Sequence, residues 1–166
     1  PTIDELRVNL GQTIADMGYT ACYSQMGYNY VSTKDYNQAD YYLSKVSPHA
    51  RQCQNFLALA HSTMEWVRVN LILGKIDQAE RICRNELALM QQSEFADYPA
   101  FGLIQLALAD VLRAKNLLQE AATFLETGLE TARKSGHVYY LGRGYLIAAR
   151  LHHELGMENL VQEDLK

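Results

Sequence analysis

The sequence predicts an all-α fold, a superhelical α-solenoid of about four helical hairpins. Three observations carry this expectation. A turn followed by a small anchor residue recurs every 40 to 42 residues, as in chains built from stacked repeats. A large residue beside a small one precedes each anchor at helical spacing. No segment alternates polar and apolar residues with a two-residue period between turn residues, so nothing reads as a strand.

The anchors are Lys34-Asp-Tyr36-Asn-Gln-Ala39, Gly74-Lys-Ile76-Asp-Gln-Ala79, Asn116-Leu-Leu118-Gln-Glu-Ala121 and Gly156-Met-Glu158-Asn-Leu-Val161, spaced by 40, 42 and 40 residues. Upstream lie Tyr23, Met26, Gly27 and Tyr30, then Trp66 and Val67, then Leu108, Ala109 and Leu112, then Tyr145, Ala148 and Ala149. Four residues after the first three anchors come Leu43, Cys83 and Leu125, as expected when a second helix lays its apolar face on the first. A small side chain on the first helix and an Ala early in the second let two backbones cross, with large apolar residues filling the space around them. One hairpin cannot bury its own face, so hairpins stack and share a core.

These patterns place helices near 3–16, 19–32, 36–46, 52–72, 76–91, 99–114, 118–135, 138–155 and 158–165. Thr2-Ile-Asp-Glu5 has the form of a capping box that starts the first. Pro48 is expected to end the third, Tyr98-Pro99 to open the sixth, and Gly136 to follow the seventh. The expected organisation is one domain over 1–166, with repeats at about 19–50, 52–97, 98–136 and 137–166 and a capping or preceding-repeat helix over 1–18. Because the chain opens on Pro1 rather than Met, it reads as a fragment of a longer protein.

Composition narrows the class. With 48% hydrophobic and 20% charged residues and only 3 prolines, the chain is of the globular kind and not collagenous, mucin-like or disordered. Fifteen basic residues against nineteen acidic ones give a formal charge of -4. No excess positive field is present for a phosphate backbone, so direct nucleic-acid binding by this segment is not expected. The greasiest stretch, Ala100 to Leu112, is broken by Gln105 and Asp110 and falls short of the roughly 20 residues that cross a bilayer. Cys22, Cys53 and Cys83 form no CxxC and have no histidine at ligand spacing. An odd count without a signal peptide fits free thiols in a cytoplasm.

Units with a large-small pair in the first helix and Gly-x-(aromatic or aliphatic)-x-x-Ala at the turn resemble tetratricopeptide (TPR) repeats. The first unit matches that pattern best, with Tyr23, Met26-Gly27, Tyr30, Tyr36 and Ala39. It departs in its longer period and in lacking a proline that closes most units. The segment Ala100 to Gly136, with Asn116-Leu117-Leu118 at its turn and Gly128-Leu129-Glu130-Thr131-Ala132-Arg133 beyond it, is similar to the superhelical sensor domain of MalT-like transcription activators, which are large LuxR-type bacterial regulators. Gly144-Tyr-Leu-Ile-Ala-Ala-Arg-Leu151 is similar too. The resemblance implies a right-handed superhelix. It further implies an arm that binds an inducer or a regulatory protein and controls a separate ATP-binding switch and DNA-binding domain. Neither module is in this chain, which has no Gly-x-x-x-x-Gly-Lys-Ser/Thr loop and no basic recognition helix.

The concave wall of such a stack is made by the first helix of each unit. Counting from the anchors puts Tyr28 on that wall in the first unit and His61, Glu65 and Arg68 in the second. Asp110 and Arg113 follow in the third, and Arg143, Arg150 and His153 in the fourth. Both charges, hydrogen-bond donors and one aromatic suit a polar ligand or an extended peptide. The alternative is a solvated groove with internal ion pairs such as Arg68 with Asp110. A generic scaffold that captures a partner's segment therefore stands beside the sensor reading.

Seven of the eleven tyrosines fall between Tyr19 and Tyr42. Tyr23, Tyr30 and Tyr36 take repeat-core positions, which leaves Tyr28, Tyr41 and Tyr42 for a docking patch where a preceding repeat or a partner sits. Self-association through exposed end repeats is expected on the same ground. His152-His153-Glu154 does not read as a metal site, since neighbours on a helix point about 100 degrees apart. No nucleophile lies in a Gly-x-Ser-x-Gly setting, and no cofactor, metal or enzyme activity is expected.

Overall fold

The computed structural model describes residues 2–91 and 98–164, with side chains at all of these but 4, 6, 7 and 162–164. Every regular element among them is helical. They are α1 (Ile3–Ser32), α2 (Tyr36–Ser44), α3 (Val46–Gln52), α4 (Phe56–Ile72), α5 (Ile76–Gln91), α6 (Phe101–Ala114), α7 (Leu118–Ser135), α8 (Val138–Glu154) and α9 (Glu158–Asp164). The end of the second expected repeat, 92–97, and the last residue of the helix expected over 158–165 lie outside the described residues. Contacts gather into two compact units, Pro1–Leu73 and Gly74–Lys166.

The four aligned turns share one backbone feature. Lys34, Gly74, Asn116 and Gly156, each the first residue of its anchor, have φ of 63°, 72°, 61° and 73°. A left-handed residue ends one helix and turns the chain into the next, which favours Gly and tolerates Asn. The fold pays for the same geometry with Lys34 in the first unit. The anchor residues Ala39, Ala79 and Ala121 are all fully buried.

In the first unit, α1 packs on α2, α3 and α4. Its start is the expected capping box: the Glu5 N–H donates to Thr2 Oγ1 at 3.2 Å and the Thr2 N–H to Glu5 Oε2 at 2.7 Å. The expected break near residue 17 is absent, and 3–32 is one helix. Gly18 costs an exposed helix only about 1 kcal/mol, and buried residues on either side of it, Asp16 and Thr20, are tied to the same neighbour. Asp16 Oδ1 accepts from His49 Nδ1 at 2.6 Å, and Thr20 Oγ1 lies 3.8 Å from Cys53 Sγ at the end of α3. Asp35 and Asn55 cap α2 and α4 through their side-chain oxygens.

Pro48 does not end a helix. It occupies the first turn of α3, after α2 has stopped at Ser44. The first-turn N–H groups of a helix have no intrahelical acceptor, so a proline there forfeits no bond. The segment expected as one helix over 36–46, followed by 52–72, is thus α2, a short α3 and then α4. Asp40 ties α2 to α4: Trp66 Nε1 donates to Asp40 Oδ1 at 2.6 Å and Asn70 Nδ2 to the same oxygen at 3.1 Å.

In the second unit, α6 packs on α5, α7 and α8, and α9 packs on α8. Leu103, Ile104, Leu106, Leu108, Val111 and Leu112 make α6 the buried axis. The crossing of α6 and α7 is glycine on glycine. A Cβ added to Gly128 would lie 3.1 Å from the Gly102 carbonyl oxygen and 2.8 Å from Leu106 Cγ and Cδ2. A Cβ on Gly144 would come within 2.5 Å of Leu129 Cδ2, and in the first unit one on Gly27 within 2.6 Å of Leu43 Cγ.

Two outcomes follow from this packing. Gly128→Ala and Gly142→Ala gain the same helix propensity, about 1 kcal/mol, but nothing lies within 4 Å of a Cβ at Gly142. Urea unfolding should show Gly142→Ala more stable than the parent, and Gly128→Ala less stable by about 1–2 kcal/mol net of that gain. The second concerns pH. Hydrogen bonds from His49 and Gln12 hold the Asp16 carboxyl below its ordinary value of 3.8, and those from Lys115 and Arg84 hold Glu80 below 4.5. Their stabilisation is complete above the ordinary values and is lost as pH falls through the lower folded ones. Asp16→Asn should flatten the acid limb of a stability-against-pH curve below about pH 4; an unchanged limb would place the acid sensitivity elsewhere.

Candidate ligand- or partner-binding surface

The residues assigned to the inner wall divide between the two units. In the first, Tyr28 on α1 packs its ring against the Ala39, Leu43 and Val69 cluster. Its hydroxyl lies 3.2 Å from Ser62 Oγ on α4, which is 2.9 Å from Ser24 Oγ. Tyr28 is thus half-buried between two first helices of successive repeats and is in part a packing residue. Arg68 Nε donates to Glu65 Oε2 at 2.8 Å, one turn back on α4. His61 is half-buried on the same helix.

The second unit holds the denser cluster. Asp110 on α6 is buried, with its carboxylate between two guanidinium groups. Arg113 donates to Oδ1 through Nε at 2.9 Å, and an Nη of Arg150 on α8 reaches Oδ2 at 3.5 Å. Arg113 also donates to Glu154 Oε1 on α8. Burial opposes the charge on Arg113, but Asp110 and Glu154 outweigh it and raise its pKa. Asp110 and Arg150 sit one repeat apart, as do Arg113 and Glu154 within a residue, so this cluster is how α6 and α8 are held in register. Arg68 and Asp110, paired in the solvated-groove alternative, have Glu65 and the two arginines as their respective partners here.

Arg143 and His153 differ from that cluster. Arg143 on α8 is half-buried and its Nε has no hydrogen-bond partner, and Gln105 Oε1 on α6 is also buried without one. His153 is exposed, with Nδ1 3.1 Å from Glu158 Oε1 at the start of α9. Gln105 and Glu154 escaped the register count. Gln105 lies off the counted face, and Glu154 is found only once Arg113 is seen to reach across to α8.

Two features lie off that wall. A groove of about 330 Å³ runs between α7 and α8. Leu125, Leu129 and Leu151 line it, with Glu126, Arg133 and His152 alongside. The apolar and charged positions of α7 at i and i+4 were its only sequence signal. The tyrosines of the first unit form a ring array: Tyr30 stacks on Tyr42 at 5.4 Å, Tyr42 meets Tyr23 at 6.4 Å, and Tyr19 meets His49 at 4.8 Å. Tyr41 is exposed with Lys45 Nζ 5.1 Å from its ring centre, whereas Tyr42 is absorbed into the array.

Among the described residues no group of three or more His, Cys, Asp or Glu side chains could hold a metal ion. None of the described helices is long and apolar enough to cross a membrane. Burial pushes the Cys83 thiol well above its ordinary range, so it behaves as a small apolar side chain.

No curated protein matches the chain. The family described as the MalT-like TPR region matches residues 17–159, most of the sequence. TPR-type repeats are scaffolds that bind partners or other parts of their own protein. With its left-handed turns, small-residue crossings and residues 17–159 all in agreement, this chain belongs to the MalT-like TPR region family.

Proposed function

We propose that the chain is the ligand-sensing or regulator-binding arm of a bacterial, MalT-like LuxR-family transcriptional regulator, acting in the cytoplasm as one domain. In this reading it controls a separate ATPase and DNA-binding part and has no catalytic role of its own. Family membership supports the class. The observation that carries the binding role is the unused donor capacity of α8. Arg113 pairs with Asp110 and Glu154, whereas on α8 Arg150 makes only a long contact with Asp110 and the half-buried Arg143 has an unpartnered Nε. An inducer rich in hydroxyl or carboxylate oxygens supplies the missing acceptors. By favouring one arrangement of α6 against α8, such a ligand shifts the population of states that the rest of the regulator reads.

The α7–α8 groove favours a second reading, a scaffold that captures a regulatory protein's peptide or helix by an aliphatic anchor. The two readings separate in a thermal-shift screen against polar metabolites and a peptide library. For a small inducer, Arg143→Ala and Arg150→Ala should each weaken binding at least about tenfold. Lys134→Ala, which removes only an exposed pair with Glu130, should not. Peptide hits lost in Glu126→Ala or Arg133→Ala, which line the groove, with no metabolite response, support the scaffold. The complete open reading frame should encode flanking ATP-binding and LuxR-type modules; their absence would remove the regulator reading.

A further inference from the structure

Along α7, Ala122, Glu126, Leu129 and Arg133 recur at helical spacing and form one stripe that lines the groove against α8. The two edges of the stripe differ. Leu125 and Leu129 are buried and, with Leu151 of α8, make an aliphatic floor. Glu126 and Arg133 stand exposed along the same groove, seven residues apart. Seven helical residues rise about 10.5 Å, so the groove carries one negative and one positive charge at that separation beside an aliphatic floor.

Among the described residues neither of these two charges has an ion-pair partner. Glu130 lies one turn before Arg133, but its carboxylate is held by Lys134 Nζ at 2.7 Å. Arg133 instead has its Cζ 5.9 Å from the ring centre of Tyr145 on α8, a contact that steadies a guanidinium without neutralising it. The next helix, α9, packs on α8 and not on α7 among the described residues.

We propose that the groove binds a short peptide with free termini, about three apolar residues long, with its ammonium on Glu126 and its carboxylate on Arg133. This ligand rests on the scaffold reading of the groove and is independent of the α8 arginines. Three residues of extended chain reach about 10–11 Å, which matches the separation of the two charges. A free α-amino acid, whose ammonium and carboxylate share one carbon, cannot bridge them. Aliphatic side chains of the peptide lie on the floor, in a groove whose volume of about 330 Å³ is that of a small-ligand site. A segment inside a longer chain must carry its charges on long side chains and order them, whereas charged termini sit on the backbone and lose less freedom. Exposed pairs are weak one at a time, so binding needs both ends and the floor together.

Calorimetric titration of the 166-residue chain with leucyl-alanyl-leucine, and with its N-acetylated, C-amidated and doubly capped forms, tests each end. The free tripeptide should bind, and each single cap should weaken it about three- to tenfold, as expected for one charged hydrogen bond at a partly exposed site. Arg133→Gln should weaken the free tripeptide by the same factor and leave the amidated form unaffected. Glu126→Gln should do the same with the acetylated form. Both positions are exposed, so helix content should be unchanged. A doubly capped tripeptide that binds as tightly as the free one would overturn the proposal while leaving the scaffold reading in place. Caps that weaken binding as much in the variants as in the parent would also overturn it, because the termini would then be recognised elsewhere. If no form binds at up to about 1 mM, the free peptide is ruled out, and the scaffold reading then stands or falls on whether longer peptides bind and are lost in the same variants.

Discussion

Everything in this molecule rests on how closely two helices approach inside a hairpin. At Gly102 and Gly128 the backbones of α6 and α7 come near enough that a methyl group on either glycine meets the other's carbonyl oxygen. That approach has two consequences. Large residues such as Leu106 and Leu129 fill the space over the small ones, and α8 can then seat Gly144 on Leu129. The same logic sets α1 on α2 at Gly27 and Leu43. A core packed at crystal-like density transmits such a contact without slack.

Much of this was legible in the sequence because it follows from backbone geometry. Aligning Lys34, Gly74, Asn116 and Gly156 by their distance to a small anchor found four turns that prove left-handed, two of them without a glycine, while the left-handed Gln54 before α4 lay outside the pattern. Ala39, Ala79 and Ala121 are buried for the reason the pattern gave. The misses occurred where tertiary contacts override local signals. Gly18 could not break α1 while Asp16 and Thr20 on either side of it were held against α3. Pro48 was read as a stop, although a proline serves equally well in a first turn, and the one-residue joint at Lys45 has no sequence signature.

The candidate surface was half legible. Register brought Asp110, Arg113 and Arg150 together correctly as neighbours on adjoining first helices. It could not say which of them are spent on each other. Arg113 is committed to two carboxylates from two helices, and Tyr28 spends its hydroxyl on Ser62. Arg143 and Arg150 keep donor capacity, and which side chain keeps it depends on sub-ångström placement that no spacing rule carries. His153 lies in the counted register yet turns to Glu158, because the C-terminal turn of α8 faces the start of α9.

Native-state hydrogen exchange tests the central claim most directly. If the α6–α7 crossing is the point on which the second unit depends, amides of Ile104 to Leu112 and of Ala122 to Ala132 exchange only through global unfolding, and far more slowly than those of α9. Exchange in those two stretches as fast as in α9 would mean that the crossing is not what holds the hairpins together.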